Sequence, residues 1–173
     1  MPSLYDVSIP MFIKMLGNLD HLLGKAEDHV ASGAIDEAGL TSARLVEDMH
    51  PLPRQVQFAC DSAKFVAQRV GLAEPLPMPD EEVTIAELRV RIAKTLAYLA
   101  AADPAAFEGR DQAEVVLKFP GGEMPFTATD YVIGFAIPNF YFHVTTAYAL
   151  LRMKGVPIGK MDYMAGAKAP AAG

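Results

Sequence analysis

The amino-acid sequence predicts an all-α fold: a four-helix bundle with a small β-hairpin before the last helix. Three observations lead to this prediction. Apolar residues recur with helical spacing in four long segments of the 173-residue chain. Segments rich in proline or glycine separate these four, and the stretch before the last helix alternates with the period of a strand. Amphipathic helices of this kind bury their apolar faces together in a bundle.

The first predicted helix lies within residues 4–30. Its apolar stripe consists of Phe12, Met15, Leu16, Leu19, Leu22, Leu23, Ala26 and Val30. Its start is open between two alternatives, because Pro10 cannot donate a helical hydrogen bond. The helix begins near Ser8 as N-cap, or earlier with a kink at the proline. From 32 to 53 the pattern weakens, and we expect only a short helix at Ala43–Met49.

The second long helix is predicted over Val56–Val70, where apolar residues share one face and Gly71 follows the last turn. A linker at residues 73–82 contains three prolines, which exclude a regular helix. After this linker, Thr84 and Glu87 have the spacing of a capping box. They therefore mark the start of the third long helix.

The β-hairpin is predicted from a change of period. Val115, Leu117 and Phe119 alternate with polar residues, as in a half-exposed strand. A Pro-Gly-Gly turn follows, and Met124 with Phe126 continues the alternation on the other side.

The last helix, residues 127–155, is the longest apolar segment and contains the first candidate for a site. Thr127 and Asp130 have the form of a capping box. Asn139 and His143 are four residues apart and therefore lie on one face. Bundle cores build ligand and metal sites from such side chains. The alternative is a core histidine that only satisfies its hydrogen bonds, which is the more common case.

Polar residues on the second long helix give a second candidate. Gln57, Asp61 and Lys64 lie along one edge, either as part of a site or as a solvated flank with an Asp61–Lys64 ion pair. The other histidines are expected in exposed or loop positions, and none has a second histidine at a helical ligand spacing. These are His21, His29 and His50.

Composition excludes several functional classes. The net charge of −6 disfavours a nucleic-acid partner, and no basic stripe overrides it. No apolar segment has the length and uniformity of a membrane span, and the N-terminus lacks the pattern of a signal peptide. The single cysteine, Cys60, cannot form an internal disulfide, which fits a reducing compartment. We therefore expect a cytoplasmic protein without nucleic-acid or membrane partners.

Three runs are similar to the DUF1993 family, an uncharacterised bacterial family that resembles the DinB/YfiT-like metalloenzyme superfamily. They are DMHPLPRQVQFACDSAK at 48–64, DEEVTIAEL at 80–88 and NFYFHVTTAYALLRMKGVPIGKMDY at 139–163. The resemblance implies a DinB-like four-helix bundle, often dimeric, with no established activity. It covers a single domain at 1–164. The low-complexity tail at 165–173 is expected to be disordered.

The resemblance also implies where a site lies. The superfamily binds a divalent metal through one histidine on the second helix and two on the last. His143 matches one of these, but Asn139 and Gln57 stand near the other two positions. Amides are weak ligands for zinc or nickel, so we expect no cofactor. The expected pocket is lined by Gln57, Asp61, Asn139 and His143, the two amides and the histidine hydrogen-bonding to one another.

Four functions remain open on the sequence. The first is a small-molecule-binding pocket around His143, in a homodimer. A transferase or isomerase that uses His143 as general acid or base is the second. The third is a weak metal protein that holds zinc or nickel through the same polar side chains. The polar residues are purely structural in the fourth. We expect Lys160, Asp162 and Tyr163 to fold back over the pocket and to dock against the bundle rather than to take part in chemistry.

Overall fold

Four long helices form a bundle in the computed structural model, which describes residues 2–169. They span Leu4–Ala31 (α1), Leu52–Arg69 (α3), Ile85–Ala100 (α4) and Ile137–Met153 (α5), and two short helices span Glu37–Thr41 (α2) and Lys160–Ala165 (α6). Helix α4 packs against both α1 and α3, and α5 packs mainly on α3. The predicted four-helix bundle with a hairpin is confirmed. None of the described helices is both long and apolar enough to cross a membrane.

Helix α1 takes the earlier of the two predicted starts. Ser3 is the N-cap: its Oγ accepts from the backbone N–H of Asp6 at 3.2 Å, and the Asp6 carboxylate accepts from the Ser3 N–H at 2.8 Å. This capping box satisfies free amide groups of the first turn. Ser8 lies inside the helix and donates to the carbonyl of Leu4. Pro10 is accommodated within the helix.

The prediction of a short helix at Ala43–Met49 is wrong. The chain forms α2 earlier, where the carboxylate of Asp36 accepts from the Gly39 N–H at 2.6 Å as an N-cap. The Glu37 carboxylate then accepts from the Ile85 N–H at 2.8 Å, which joins α2 to the start of α4. Residues 43–49 form turns and bends.

The hairpin before the last long helix matches the prediction. Strands Glu114–Phe119 (β1) and Gly122–Thr127 (β2) are antiparallel, and Phe119 pairs with Gly122. Pro120 and Gly121 therefore form the two-residue turn between the strands.

The last long helix starts where the sequence predicts and then changes its winding. Thr127 Oγ1 accepts from the Asp130 N–H at 3.1 Å, which confirms this residue as the cap. Residues Asp130–Ala136 form a π-helix that continues directly into α5. The Ile137 N–H bonds to the carbonyl of Val132, five residues back, immediately before Pro138. Such wide turns are uncommon and often lie near functional sites.

The C-terminal segment docks against α1. Asn18 Nδ2 donates to the backbone carbonyl of Tyr163 at 2.8 Å, and the hydroxyl of Tyr163 lies 3.0 Å from Thr145 Oγ1 on α5. A short 3₁₀ turn at Gly166–Lys168 follows α6, so the part of the predicted tail at 165–168 has regular structure. The remainder of that tail, 170–173, lies outside the described residues.

Candidate functional site

The polar side chains of α3 divide between two faces of the helix. Gln55 and Ser62 contact α5, whereas Gln57 and Asp61 contact α4 and the linker before it. Neighbouring residues on a helix are separated by about 100°, so Gln55 and Gln57 point in nearly opposite directions. Only one of these two faces meets His143.

His143 is held in one tautomer by Gln55. Its Nδ1 lies 2.8 Å from Gln55 Oε1, and Gln55 Nε2 donates to the backbone carbonyl of His50 at 2.9 Å. Because the amide nitrogen of Gln55 donates to a carbonyl, the amide oxygen of Gln55 faces His143. This oxygen can only accept a hydrogen bond, so the Nδ1 atom of His143 must carry the proton. The lone pair of His143 Nε2 is left without a hydrogen-bond partner among residues 2–169.

Asn139 is held in a similar way by Ser62. Asn139 Nδ2 donates to Ser62 Oγ at 2.8 Å, and Ser62 Oγ donates its single proton to the carbonyl of Phe58 at 2.7 Å. The hydroxyl of Ser62 can therefore only accept from Asn139, which fixes the orientation of the amide. Asn139 Oδ1 has no hydrogen-bond partner within the described part of the chain.

Aromatic rings surround His143. Its ring centroid lies 5.0 Å from that of Phe58 and 5.2 Å from that of Phe142, whose side chain is 54% exposed. Burial, with a smaller contribution from the charge of His50, lowers the pKa of His143 to about 4. The imidazole is therefore neutral near pH 7. The face of α5 thus presents two uncharged acceptor atoms beside an exposed ring.

Gln57 is not part of this group. It is buried; its Nε2 donates to Glu82 at 3.0 Å and its Oε1 accepts from Arg54 at 2.9 Å. The hydrogen-bonded trio of Gln57, Asn139 and His143 expected from the sequence does not form, because Gln57 lies on the face of α3 that meets the linker.

Asp61 belongs to a buried ionic cluster on that second face. Its carboxylate accepts from Arg91 at 3.0 Å and from Lys64 at 2.8 Å. Arg91 is 1% exposed and also pairs with Asp80 and Glu82, both of the linker. The Asp61–Lys64 pair predicted from spacing is present, but it is part of a network that ties the linker to α3 and α4.

The residues around His143 do not fit a zinc or nickel site of the superfamily type. On α5 the available donors are one imidazole nitrogen and the amide oxygen of Asn139, and the nearby His50 adds one further imidazole, whereas such sites use three or four imidazoles, thiolates or carboxylates. In the part of the chain that the structure describes, no group of three His, Cys, Asp or Glu side chains could hold an ion. Cys60 is buried, and burial raises the pKa of its thiol to about 12, so it remains protonated.

Sequence reasoning missed the α3 partners of the site. Gln55, Phe58 and Ser62 share one helical face at spacings of three and four residues, and this spacing is the signal that would have grouped them. His50, expected in a loop, supplies through its carbonyl the contact that orients Gln55.

Residues 4–164 match the model of a family described as a domain of unknown function, DUF1993. The chain belongs to the DUF1993 family. This DUF1993 protein is also similar to the crystal structure of a DinB family member protein from Shewanella denitrificans, at 40% identity and a TM-score of 0.83. The similarity covers 98% of this chain and 96% of that one, and the predicted DinB-like fold is confirmed. No curated protein is significantly similar to the chain.

Proposed function

We propose that this DUF1993 protein binds a small molecule at His143 and Asn139. One observation carries the proposal: α3 fixes both side chains so that each keeps one acceptor atom without a partner in residues 2–169. The two residues are one helical turn apart, so a single ligand can reach both atoms. Partly buried polar atoms that are held in place and left unpaired are typical of binding sites.

The chemistry of the site selects a neutral ligand with hydrogen-bond donors. His143 Nε2 and Asn139 Oδ1 both accept, so the ligand donates through an amide, urea or aromatic amine. The guanidinium of Arg54 lies 4.5 Å from the ring centroid of Phe58 but is paired with the carboxylate of Asp80, so the described residues around His143 offer no unpaired charge that favours an ionic ligand. The exposed ring of Phe142 provides an apolar contact for the rest of the molecule.

The alternatives from the sequence receive less support. A transferase or isomerase with His143 as general acid needs a protonated imidazole, but its pKa of about 4 leaves the ring neutral near pH 7. The neutral ring could act as general base through Nε2, but a group with a pKa of about 4 is a weak base near pH 7. A weak zinc or nickel site needs more donors than the two acceptor atoms offer. The homodimer and the cytoplasmic location stay predictions, and ligand binding at His143 requires neither.

Ligand binding is tested with a panel of neutral aromatic amides, ureas and anilines, followed by ¹H–¹⁵N NMR of the full chain. We expect saturable shifts of amide signals around residues 139–143 with at least one member of the panel. His143→Ala should weaken that binding about tenfold or more, because it removes one hydrogen bond and an aromatic contact.

His29→Ala serves as the matched control, because it removes a histidine from α1 and leaves the α3–α5 face unchanged. It should bind the same compound as tightly as the wild type. The proposal is contradicted if no compound of the panel binds, or if both alanine variants bind equally well.

A further inference from the structure

A cavity that lies away from His143 has five ionisable side chains among its twelve lining residues. Its volume is about 620 Å³, and it opens between α1, the C-terminal end of α5 and the segment 157–169. None of the residues that surround His143 lines it. Its ionisable lining residues are His21, Lys25, Arg152, Lys160 and Asp162.

The one carboxylate in this lining is already engaged. Asp162 Oδ2 accepts from the Gly159 N–H at 2.8 Å, and Oδ1 lies 3.0 Å from His21 Nε2 and 3.5 Å from Lys25 Nζ. Partial burial acts against ionisation of Asp162, but these three hydrogen-bond and ionic contacts hold its pKa below the ordinary value. Asp162 is therefore ionised and directs Lys25 and His21 toward the cavity wall.

The remaining cations have no such partner. Arg152 and Lys160 are exposed, line the cavity and form no ion pair with any residue in 2–169. The cavity thus gathers three permanent positive charges against one negative charge, on a chain whose net charge is −6. A concave surface with this balance concentrates anions from solution.

Apolar side chains complete the wall. Pro157, Ile158 and Met161 line the same cavity, and the side chain of Met161 is 50% exposed. An inorganic ion would not contact this apolar surface. An organic anion can pack its apolar part against the surface while its charged group binds Arg152 and Lys160. Guanidinium groups pair with carboxylate and phosphate oxygens through two parallel hydrogen bonds.

We propose that this cavity binds a small organic oxyanion, a carboxylate or a phosphate monoester carried on an apolar body. Arg152 and Lys160 hold the charged group, Lys25 adds a further positive charge, and Met161 with Pro157 contacts the apolar part. This site is independent of the one proposed at His143.

The test titrates the full chain with phenyl phosphate, benzoate and the neutral analogue phenol. Binding is followed through the amide signals of Gly159 and Gly166, which line the cavity. We expect saturable shifts with at least one of the two anions at millimolar concentration, weakened by added salt, and no comparable binding of phenol. The anion that binds more tightly shows whether the cavity prefers a phosphate or a carboxylate group.

The decisive comparison is between two double variants with the same change in net charge. Arg152→Gln with Lys160→Gln should weaken binding of the anion roughly tenfold or more, because charge-assisted hydrogen bonds are lost. Lys14→Gln with Lys118→Gln removes two exposed charges elsewhere and should bind as the wild type does. Absence of saturable binding by both anions, phenol binding as tightly as they do, or equal loss in the two variants would overturn the proposal.

Discussion

Replacing Arg91 by methionine is expected to lower the free energy of unfolding by about 3–5 kcal/mol. Arg91 is 1% exposed and lies between Asp61, Asp80 and Glu82 at distances of 3.0–3.1 Å. Methionine fills much of the same volume, so the loss comes from three partly buried carboxylates that lose their shared partner. Asp61 keeps Lys64 and Asp80 keeps Arg54, whereas Glu82 keeps no ion-pair partner among residues 2–169. The mutual repulsion of the three carboxylates also loosens the linker from α3 and α4.

Urea denaturation at neutral pH measures this loss, with Arg89→Met as the control. Arg89 is two residues away on α4 and pairs with Asp20 and Glu27, but its side chain is 36% exposed. Exposed ion pairs contribute little, so this variant should lose about 1 kcal/mol or less. Equal losses in the two variants would show that burial of the Arg91 cluster does not hold the linker in place.

Acid should destabilise the protein through His143, by up to about 3 kcal/mol between pH 6.5 and pH 4. The pKa of His143 is lowered from 6.5 to about 4 in the folded state, because burial and the charge of His50 disfavour the imidazolium. The unfolded state therefore takes up the proton first as the pH falls. The stability associated with neutral His143 is fully present above pH 6.5 and is lost as the pH falls to 4.

The measurement is the free energy of unfolding against pH for the wild type and for His143→Gln. Glutamine does not titrate and still offers an N–H to Gln55, so the two proteins differ mainly in this one protonation. The difference between their curves should be flat above pH 6.5 and decline below it. A flat difference over the whole range would contradict a depressed pKa.

Features that depend on local sequence were predicted well. The Thr84–Glu87 capping box and the Thr127 cap form as expected, because each needs only residues three apart in the chain. The two-residue turn of the hairpin is set by Pro120 and Gly121 in the same way. The short helix of this region was predicted at Ala43–Met49, but it forms earlier, as α2 behind the Asp36 cap. Both segments have weak apolar patterns, so the sequence did not distinguish between them.

The partners of the candidate site were not predictable in this way. Asn139 and His143 were identified from their spacing, but which α3 residues meet them depends on how α3 is rotated in the bundle. A rotation that buries Val56, Ala59 and Ala63 still leaves two polar faces, and only packing against α5 decides between them. The resemblance placed Gln57 at the site, whereas the observed rotation places Gln55 there.

The charge and tautomer of His143 test the central claim most directly. They are read from the ¹⁵N shifts of its imidazole at pH 7, with and without the best compound of the amide and urea panel. The account predicts a protonated Nδ1, an unprotonated Nε2 and a shift of the Nε2 signal on binding. A protonated Nε2 in the free protein, or an Nε2 signal that does not respond to a bound compound, would contradict it.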